Sequence, residues 1–189
     1  EKLAKTQFLN QFETLFNDNN SSASVLNELP TAYDYIRLGH PLSCILEWAI
    51  ANIHSIKSEN VISFSSQTIP VLAILRKNFL DKKDTQINYV GALPGCFDTD
   101  IIKSIYGYQF ELNKINKVSD ISEFNGSTVF ISEQEEVSKF DLASNVDFYI
   151  NVTSNLGSML LVNGSKNANY ISDIQHVRRR ETIAMTPSN

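Results

Sequence analysis

Apolar residues recur at two characteristic spacings along the chain, and each spacing predicts one kind of secondary structure. Spacings of three and four positions, typical of a helix with one buried face, occur over residues 3–16, 42–53, 69–80 and 98–107. Residues 165–185 are predicted to form a last helix. Pro41 precedes the second of these segments and suits the first turn of a helix, where a backbone N–H lacks a partner anyway.

Short runs rich in β-branched and aromatic residues lie between these helices and predict strands. They comprise residues 60–64, 87–92, 108–112, 127–132, 146–152 and 158–164. Strands that alternate with helices favour a sheet covered by helices on both faces. We therefore predict a three-layer α/β sandwich with a mainly parallel central sheet, in which residues 60–64, 127–132 and 146–152 form buried strands.

Composition and charge narrow the classes of function. The chain has 189 residues, of which 42% are hydrophobic, which is enough for one domain with a sizeable core. The net charge of −5 argues against a nucleic-acid partner, because phosphate binding requires a concentrated positive surface. The basic cluster at residues 176–181 is interpreted as a solvated face of the last helix. No apolar run is long enough to span a bilayer and no signal peptide is evident, so we expect a cytoplasmic or nuclear protein without a membrane partner.

The nucleophiles and bases form no recognised catalytic motif. Cys44 lies in the apolar stripe of the second helix and is predicted to be a buried structural thiol. Cys96 follows Pro94 and Gly95 in a strand-to-helix turn, where side chains often face a ligand. The spacing of the two cysteines fits no zinc site, and no metal site is expected. The chain contains no nucleophile elbow, no zinc-protease helix and no phosphate-binding loop.

The stretch at residues 33–48, "YDYIRLGHPLSCILEW", combines tyrosine, arginine, glycine and proline just before an apolar helix. With the "SFSSQ" that follows, it resembles the cystathionine synthase and lyase family of pyridoxal-phosphate enzymes, which act on sulfur amino acids. The matching residues are Tyr35, Arg37, Gly39, Pro41, Leu46, Glu47, Ser65 and Ser66. The chain departs from the family pattern at His40, where the family has asparagine, and at Gln67, where it has glycine.

Weaker similarities extend the resemblance along nearly the whole chain. Phe97 stands where the family has an aromatic residue stacked on the cofactor ring, and "STVFISE" resembles the strand that ends in a glutamate. The resemblance implies the large α/β domain of fold-type I pyridoxal-phosphate enzymes. We expect residues 1–30 to form an N-terminal helix and loop, residues 31–189 to form a degenerate large domain, and the C-terminal domain of the family to be absent.

Two departures bear on catalysis. The family's catalytic lysine follows a threonine, but Thr153 is followed by Ser154 and Asn155, and the nearest lysines in the sequence are Lys139 and Lys166. A hydroxyl or an amide cannot form the imine with the cofactor, so covalent pyridoxal chemistry is expected to be lost and no catalytic residue is assigned. The family also carries an aspartate on a strand between the glutamate and lysine strands, and residues 134–145 are too few for that strand and its helix.

The resemblance implies a vestigial cofactor site at Tyr35, Arg37, Ser65, Ser66 and Phe97. A tyrosine hydroxyl and a guanidinium suit a phosphate group, since they supply charge-assisted hydrogen bonds. In the family this clamp reaches across a dimer interface. The alternative is that Arg37 makes an interface or structural ion pair.

Three functions remain open from the sequence. The first is a catalytically inactive relative of the family that acts as a protein-interaction or scaffold subunit and needs no cofactor. The second is a working pyridoxal-phosphate enzyme of transsulfuration represented by an incomplete chain. The third is an unrelated α/β module for a small ligand. For the first we expect a homodimer or a protein partner, bound through residues 33–48 and through the N-terminal helix with Phe8, Phe12 and Phe16 on one side.

Overall fold

The computed structural model describes residues 2–30, 40–136, 140–154 and 157–178, apart from the side chains of residues 2–5 and 165. Within these ranges lie six helices: α1 (Lys2–Asn17), α2 (Ala23–Asn27), α3 (Pro41–Ile53), α4 (Ile69–Asp81), α5 (Thr99–Ile105) and α6 (Gly164–Arg178). The six strands are β1 (Val61–Phe64), β2 (Thr85–Tyr89), β3 (Glu111–Lys114), β4 (Ser127–Glu133), β5 (Phe148–Thr153) and β6 (Gly157–Val162).

The strands form one sheet in the order β1-β6-β5-β4-β2-β3. β3, β2, β4 and β5 run parallel to one another, and β6 runs antiparallel to both β5 and β1. The prediction of an α/β fold with a mainly parallel sheet is therefore confirmed. The three strands predicted to be buried are also confirmed, since β1 and β5 are almost wholly buried and only the last residue of β4 is exposed.

Alternate residues of each strand point to opposite faces of the sheet, and each face has its own apolar cluster. On one face Ile62, Val129, Ile150 and Leu160 pack with residues of α4 and α6. The cluster on the other face contains Ile50 and Ala51 of α3 together with Val61, Phe130, Tyr149 and Leu161 from the strands. Helices therefore cover both faces, which gives the three layers that the sequence predicts.

Five of the six strands begin one to three residues from their predicted start, and contacts explain two of these shifts. β2 begins at Thr85 because its first two side chains are buried with hydrogen-bond partners: Asn78 donates to the Thr85 hydroxyl at 2.8 Å, and Gln86 donates to the Thr128 hydroxyl at 3.1 Å. β3 begins at Glu111, three residues later than predicted, because the Tyr108 ring packs 5.7 Å from Phe79 and 5.6 Å from Tyr106. The short helix α2 was not predicted.

The free edge of β1 is held by a buried ion pair. Ser63 donates through its backbone N–H and its hydroxyl to Glu47 Oε1, at 3.0 and 2.9 Å. Arg178 Nη1 donates to the same oxygen at 2.7 Å, and the two ionised side chains are 0% and 5% exposed. The prediction that residues 176–181 form a solvated face is thus wrong for Arg178, because its guanidinium pairs with Glu47, while residues 179–181 lie outside the described ranges.

Helix α1 packs on α3 through Phe8 and Leu9, which are buried beside Cys44. Cys44 is therefore a buried thiol, as predicted. Phe12 and Phe16 both contact the ring of Trp48, with centroids 5.4 and 5.3 Å apart. The sequence predicts that the aromatic side of α1 binds a partner, but part of this side packs against α3 of the same chain. Across the residues described, none of the helices has the length and apolar character needed to cross a membrane.

Candidate functional site

The carboxyl ends of β4 and β5 meet at one edge of the sheet, where open α/β folds commonly bind their ligands. We call this region the carboxyl end and define it as residues 65–68, 132–134 and 153–158, without residues 155 and 156, which are not described. It contains Ser65 and Ser66 of the cofactor site implied by the sequence. Tyr35 and Arg37 lie outside the described residues, so their predicted contribution stays a prediction.

The loop before α4 is fastened to the turn between β5 and β6. Gln67 Nε2 donates to the carbonyl oxygens of Thr153 at 3.1 Å and of Ser154 at 3.3 Å. The Ser158 hydroxyl donates to the carbonyl oxygen of Ser66 at 2.6 Å. An amide side chain therefore spans the gap between the loop and the turn at the place where the resemblance puts a glycine.

At Gly157 the backbone at the start of β6 contacts the backbone at the end of β1 and at the start of the loop that follows it. The Gly157 φ of +99° is one that side-chain-bearing residues rarely adopt, and a Cβ there would lie 2.2 Å from the carbonyl oxygen of Phe64. It would also lie 2.8 Å from the backbone of Ser65. The start of β6 thus packs directly against the loop that follows β1, with no space for a group between them.

The N-terminus of α4 has little capacity left for an anion. The Ser66 hydroxyl accepts from the backbone N–H groups of Thr68 and Ile69, both at 3.2 Å. The next residue, Pro70, has no N–H. Helix N-termini bind phosphate through such free N–H groups. The Ser66 hydroxyl therefore already binds the N–H groups at the start of α4. The side chain of Ser65 is exposed.

Four polar residues at the ends of β4 and β5 are bonded to one another. Gln134 Nε2 donates to Tyr149 Oη at 2.7 Å, and Tyr149 Oη shares a hydrogen bond of 2.6 Å with Ser132 Oγ, in which either hydroxyl can donate. Asn151 Nδ2 donates to the Gln134 carbonyl at 2.9 Å, and its Oδ1 accepts from the Gln134 N–H at 3.1 Å. Burial raises the pKa of Tyr149, so this hydroxyl stays protonated at neutral pH and does not serve as a base.

β4 and β5 are direct neighbours in the sheet. Val129–Glu133 pairs with Phe148–Val152 in parallel register, so no strand lies between them. The strand on which the family carries its aspartate therefore has no counterpart at that position. The sequence-based expectation that residues 134–145 are too few to form it agrees with this register.

Phe97 and the histidines have packing roles in the structure. The Phe97 ring is buried in the core, edge-on to Phe110 at 6.2 Å, rather than standing over an open site. His40 Nδ1 accepts from the Leu42 N–H at 3.2 Å and so caps α3. His54 stacks on Phe140 at 5.1 Å. These contacts give each ring a structural role, and the family's stacked aromatic at Phe97 stays a prediction.

A cavity of about 520 Å³ lies at the opposite edge of the sheet. We call this region the amino end and define it as residues 55–60, 142–146 and 161–168. Lys166, one of the lysines nearest to the turn in sequence, belongs to this end and donates to the Ser144 carbonyl at 3.5 Å. It lies about a strand length, or roughly 20 Å, from the turn that precedes Gly157. This cavity was not predicted from the sequence, because its walls come from three separate segments and no local motif identifies it.

The solved structures to which this chain is similar include a cystathionine gamma-lyase and a MetB protein. Cystathionine gamma-lyase from Lactobacillus plantarum, complexed with L-serine, matches with a TM-score of 0.48 and 11% identity, over 82% of this chain and 50% of that one. MetB from Corynebacterium glutamicum matches with a TM-score of 0.49 and 13% identity, over 81% of this chain and 49% of that one. This chain thus spans about half the length of either protein. No family model and no curated protein matches it. At these values the similarity assigns the chain neither an activity nor a ligand.

Proposed function

We propose that this chain is a catalytically inactive relative of the cystathionine synthase and lyase family that acts as a protein-interaction or scaffold subunit. The observation that carries the proposal is the bridge from Gln67 Nε2 to the carbonyl oxygens of Thr153 and Ser154. It closes the space between the loop and the turn where the family holds its cofactor. The residues present therefore do not fit pyridoxal phosphate.

The chemistry of the turn supports the same conclusion. Thr153 and Ser154 carry hydroxyl groups, and residue 155 is an asparagine, so no amine is available there to form an imine. The Ser66 hydroxyl accepts from the N–H groups of Thr68 and Ile69, which leaves these groups little capacity to bind a phosphate. The direct pairing of β4 with β5 leaves no strand for the aspartate that the family places beside the pyridine nitrogen of its cofactor.

The interaction role is supported by apolar side chains near α1 and α3. Phe16, Leu42 and Ile53 are 61%, 52% and 53% exposed. Leu42 lies within residues 33–48, the segment that the sequence assigns to a contact. A second copy of this chain or another protein would remove these side chains from water on binding.

Incubation with pyridoxal phosphate tests the loss of covalent chemistry. We expect no absorbance band of a protonated imine to survive dialysis, and no adduct in the intact mass after borohydride reduction. Peptide mapping separates scattered labelling of surface lysines from a specific site. The Ser154→Lys variant is the matched comparison, because it puts an amine at the family position. A single stoichiometric adduct in the unmodified chain would refute the proposal and favour a working enzyme.

Light scattering tests the interaction role. We expect a dimer that the Phe16→Asp variant weakens, while Phe79→Asp, at an equally exposed position on α4, leaves it intact. The Arg37→Ala variant tests the segment at residues 33–48 and should weaken assembly if that arginine is interfacial. A chain that stays monomeric and recovers no partner in a pull-down would contradict the interaction role without bearing on the covalent test.

A further inference from the structure

The cavity at the amino end has the size of a small-molecule site. Its volume of about 520 Å³ lies within the roughly 300 to 1,000 Å³ that ligand pockets occupy. It is lined by residues 142–146, by residues 55–60 before β1, and by residues 161–168 at the end of β6 and the start of α6.

The lining divides into an apolar part and a polar part. Ile56, Leu142, Val146, Leu161 and the ring of Tyr149 form the apolar part. An apolar body of matching size would displace water from these side chains and gain from its burial.

The polar part of the lining has two amides and two opposite charges. Asn60 is 8% exposed, and its amide lies so close to Gly164 that a Cβ on that glycine would be 2.2 Å from Nδ2. Asn163 lines the same side. Lys57 and Glu59 contribute one positive and one negative charge, so the site has no net charge of its own.

We propose that this cavity binds a small, uncharged, largely apolar molecule that carries one amide or hydroxyl head group. The Asn60 amide can both donate to and accept from such a head group, whereas Asn163 Nδ2 already donates to the Val146 carbonyl at 3.3 Å. A charged ligand would lose its hydration without meeting an opposite net charge. The site does not depend on the function proposed above, because it lies at the other end of the sheet from Gln67. The two ends share Tyr149, whose ring lines the cavity and whose hydroxyl bonds to Ser132 and Gln134.

Isothermal titration calorimetry with three naphthalene probes tests the proposal. Naphthaleneacetamide, naphthaleneacetate and naphthylethylamine share one apolar body and differ in the charge of the head group. We expect the neutral acetamide to bind at least about tenfold more tightly than either charged probe, since desolvation of a charge opposes entry. Tightest binding of the acetate or the amine, or no binding of any probe, would overturn the proposal.

Two variants locate the binding. Ala143→Phe places a ring within the cavity wall, and Ala168→Phe does so from an exposed helix position where folding should be unaffected. We expect each to weaken binding of the acetamide by at least about tenfold, the scale at which filling a pocket removes most apolar contacts. Ala92→Phe, in an exposed loop at the other end of the sheet, is the control and should leave affinity unchanged. Thermal unfolding verifies that each variant is folded. Unchanged affinity in a folded Ala168→Phe protein would overturn the assignment.

Discussion

The two ends of the sheet differ in what their polar side chains do. At the carboxyl end, Gln67 and Asn151 bond to backbone groups of a neighbouring turn and strand end, and the backbones approach closely at Gly157. At the amino end, Asn163 also donates to a backbone carbonyl, that of Val146 at 3.3 Å, but Asn60 and Asn163 line a cavity with an apolar floor. The difference teaches that the usual ligand-binding end of an α/β sheet can be closed by a few amide side chains, while space for a ligand persists elsewhere in the fold.

The largest expected effect is for a substitution in the buried ion pair at the edge of β1. This strand runs from the amino end of the sheet to the carboxyl end. Glu47→Ala leaves the Arg178 guanidinium buried without a counter-charge and removes the acceptor of the Ser63 N–H. We expect a loss of about 3 to 5 kcal/mol of unfolding free energy, because an unpaired buried charge is strongly destabilising. Urea unfolding followed by circular dichroism measures it.

The control for that variant is Lys77→Ala. Lys77 pairs with Asp81 and Asp173 at the surface, where water screens both charges. Its unfolding midpoint should stay within error of the unmodified protein. Equal losses in the two variants would show that the buried pair has no special role at the β1 edge.

The next largest effect is expected for Gly157→Ala at the carboxyl end. The new Cβ meets the backbone oxygen of Phe64, which cannot rotate away, and φ is strained for alanine. We expect a loss of about 2 to 4 kcal/mol, combining the cost of the left-handed backbone with that of overpacking. An unchanged urea midpoint would contradict the close approach of β6 to the loop after β1.

Much of the sheet could be predicted because its strands are apolar on both faces. β1 and β5 consist almost entirely of buried residues, and their composition alone indicates this. The start of β2 was missed because Thr85 and Gln86 are polar and are buried by partners elsewhere in the chain. A pattern of apolar residues contains no information about such partners.

The closure of the carboxyl end could not be predicted for a similar reason. Gln67 could be identified as a departure from the family glycine, but its bond to Thr153 joins residues 86 positions apart. The cavity is even harder to predict from the sequence than this bond, because Ile56, Val146 and Leu161 are each ordinary apolar residues in their own segments. Only the folded chain brings these groups together.

A moderate effect is expected for Asn151→Ala in the carboxyl-end network. Asn151 is 1% exposed, and both polar atoms of its amide bond to the backbone of Gln134. Their loss leaves polar groups without partners, and we expect about 2 kcal/mol of destabilisation. Urea unfolding provides the measurement, with Asn116→Ala, at an exposed position after β3, as the control. A loss no greater than that of the control would mean that the network does not hold this end together.

A smaller effect is expected for Gln67→Ala, which removes the bridge to the turn. The side chain is partly exposed, so water can replace its two hydrogen bonds, and we expect about 1 kcal/mol of destabilisation. The more informative measurement is hydrogen exchange. Amides at the start of β6 should exchange faster in the variant, whereas those at Val162 should not. Equal protection in both proteins would show that Gln67 does not fasten the loop to the turn.

The smallest effect is expected for Gly164→Ala at the amino end, although its clash is as short as the one at Gly157. The atom that a Cβ would meet 2.2 Å away is Nδ2 of Asn60, which belongs to a side chain and can move toward the cavity. Alanine also favours a helix over glycine by about 1 kcal/mol, which offsets the cost of moving the amide. We therefore expect an unfolding free energy within about 1 kcal/mol of the unmodified protein. The displaced amide should instead appear as weaker binding of naphthaleneacetamide. A loss of stability as large as that of Gly157→Ala would mean that Asn60 is held as rigidly as a backbone group, and that the two ends differ less than their geometry indicates.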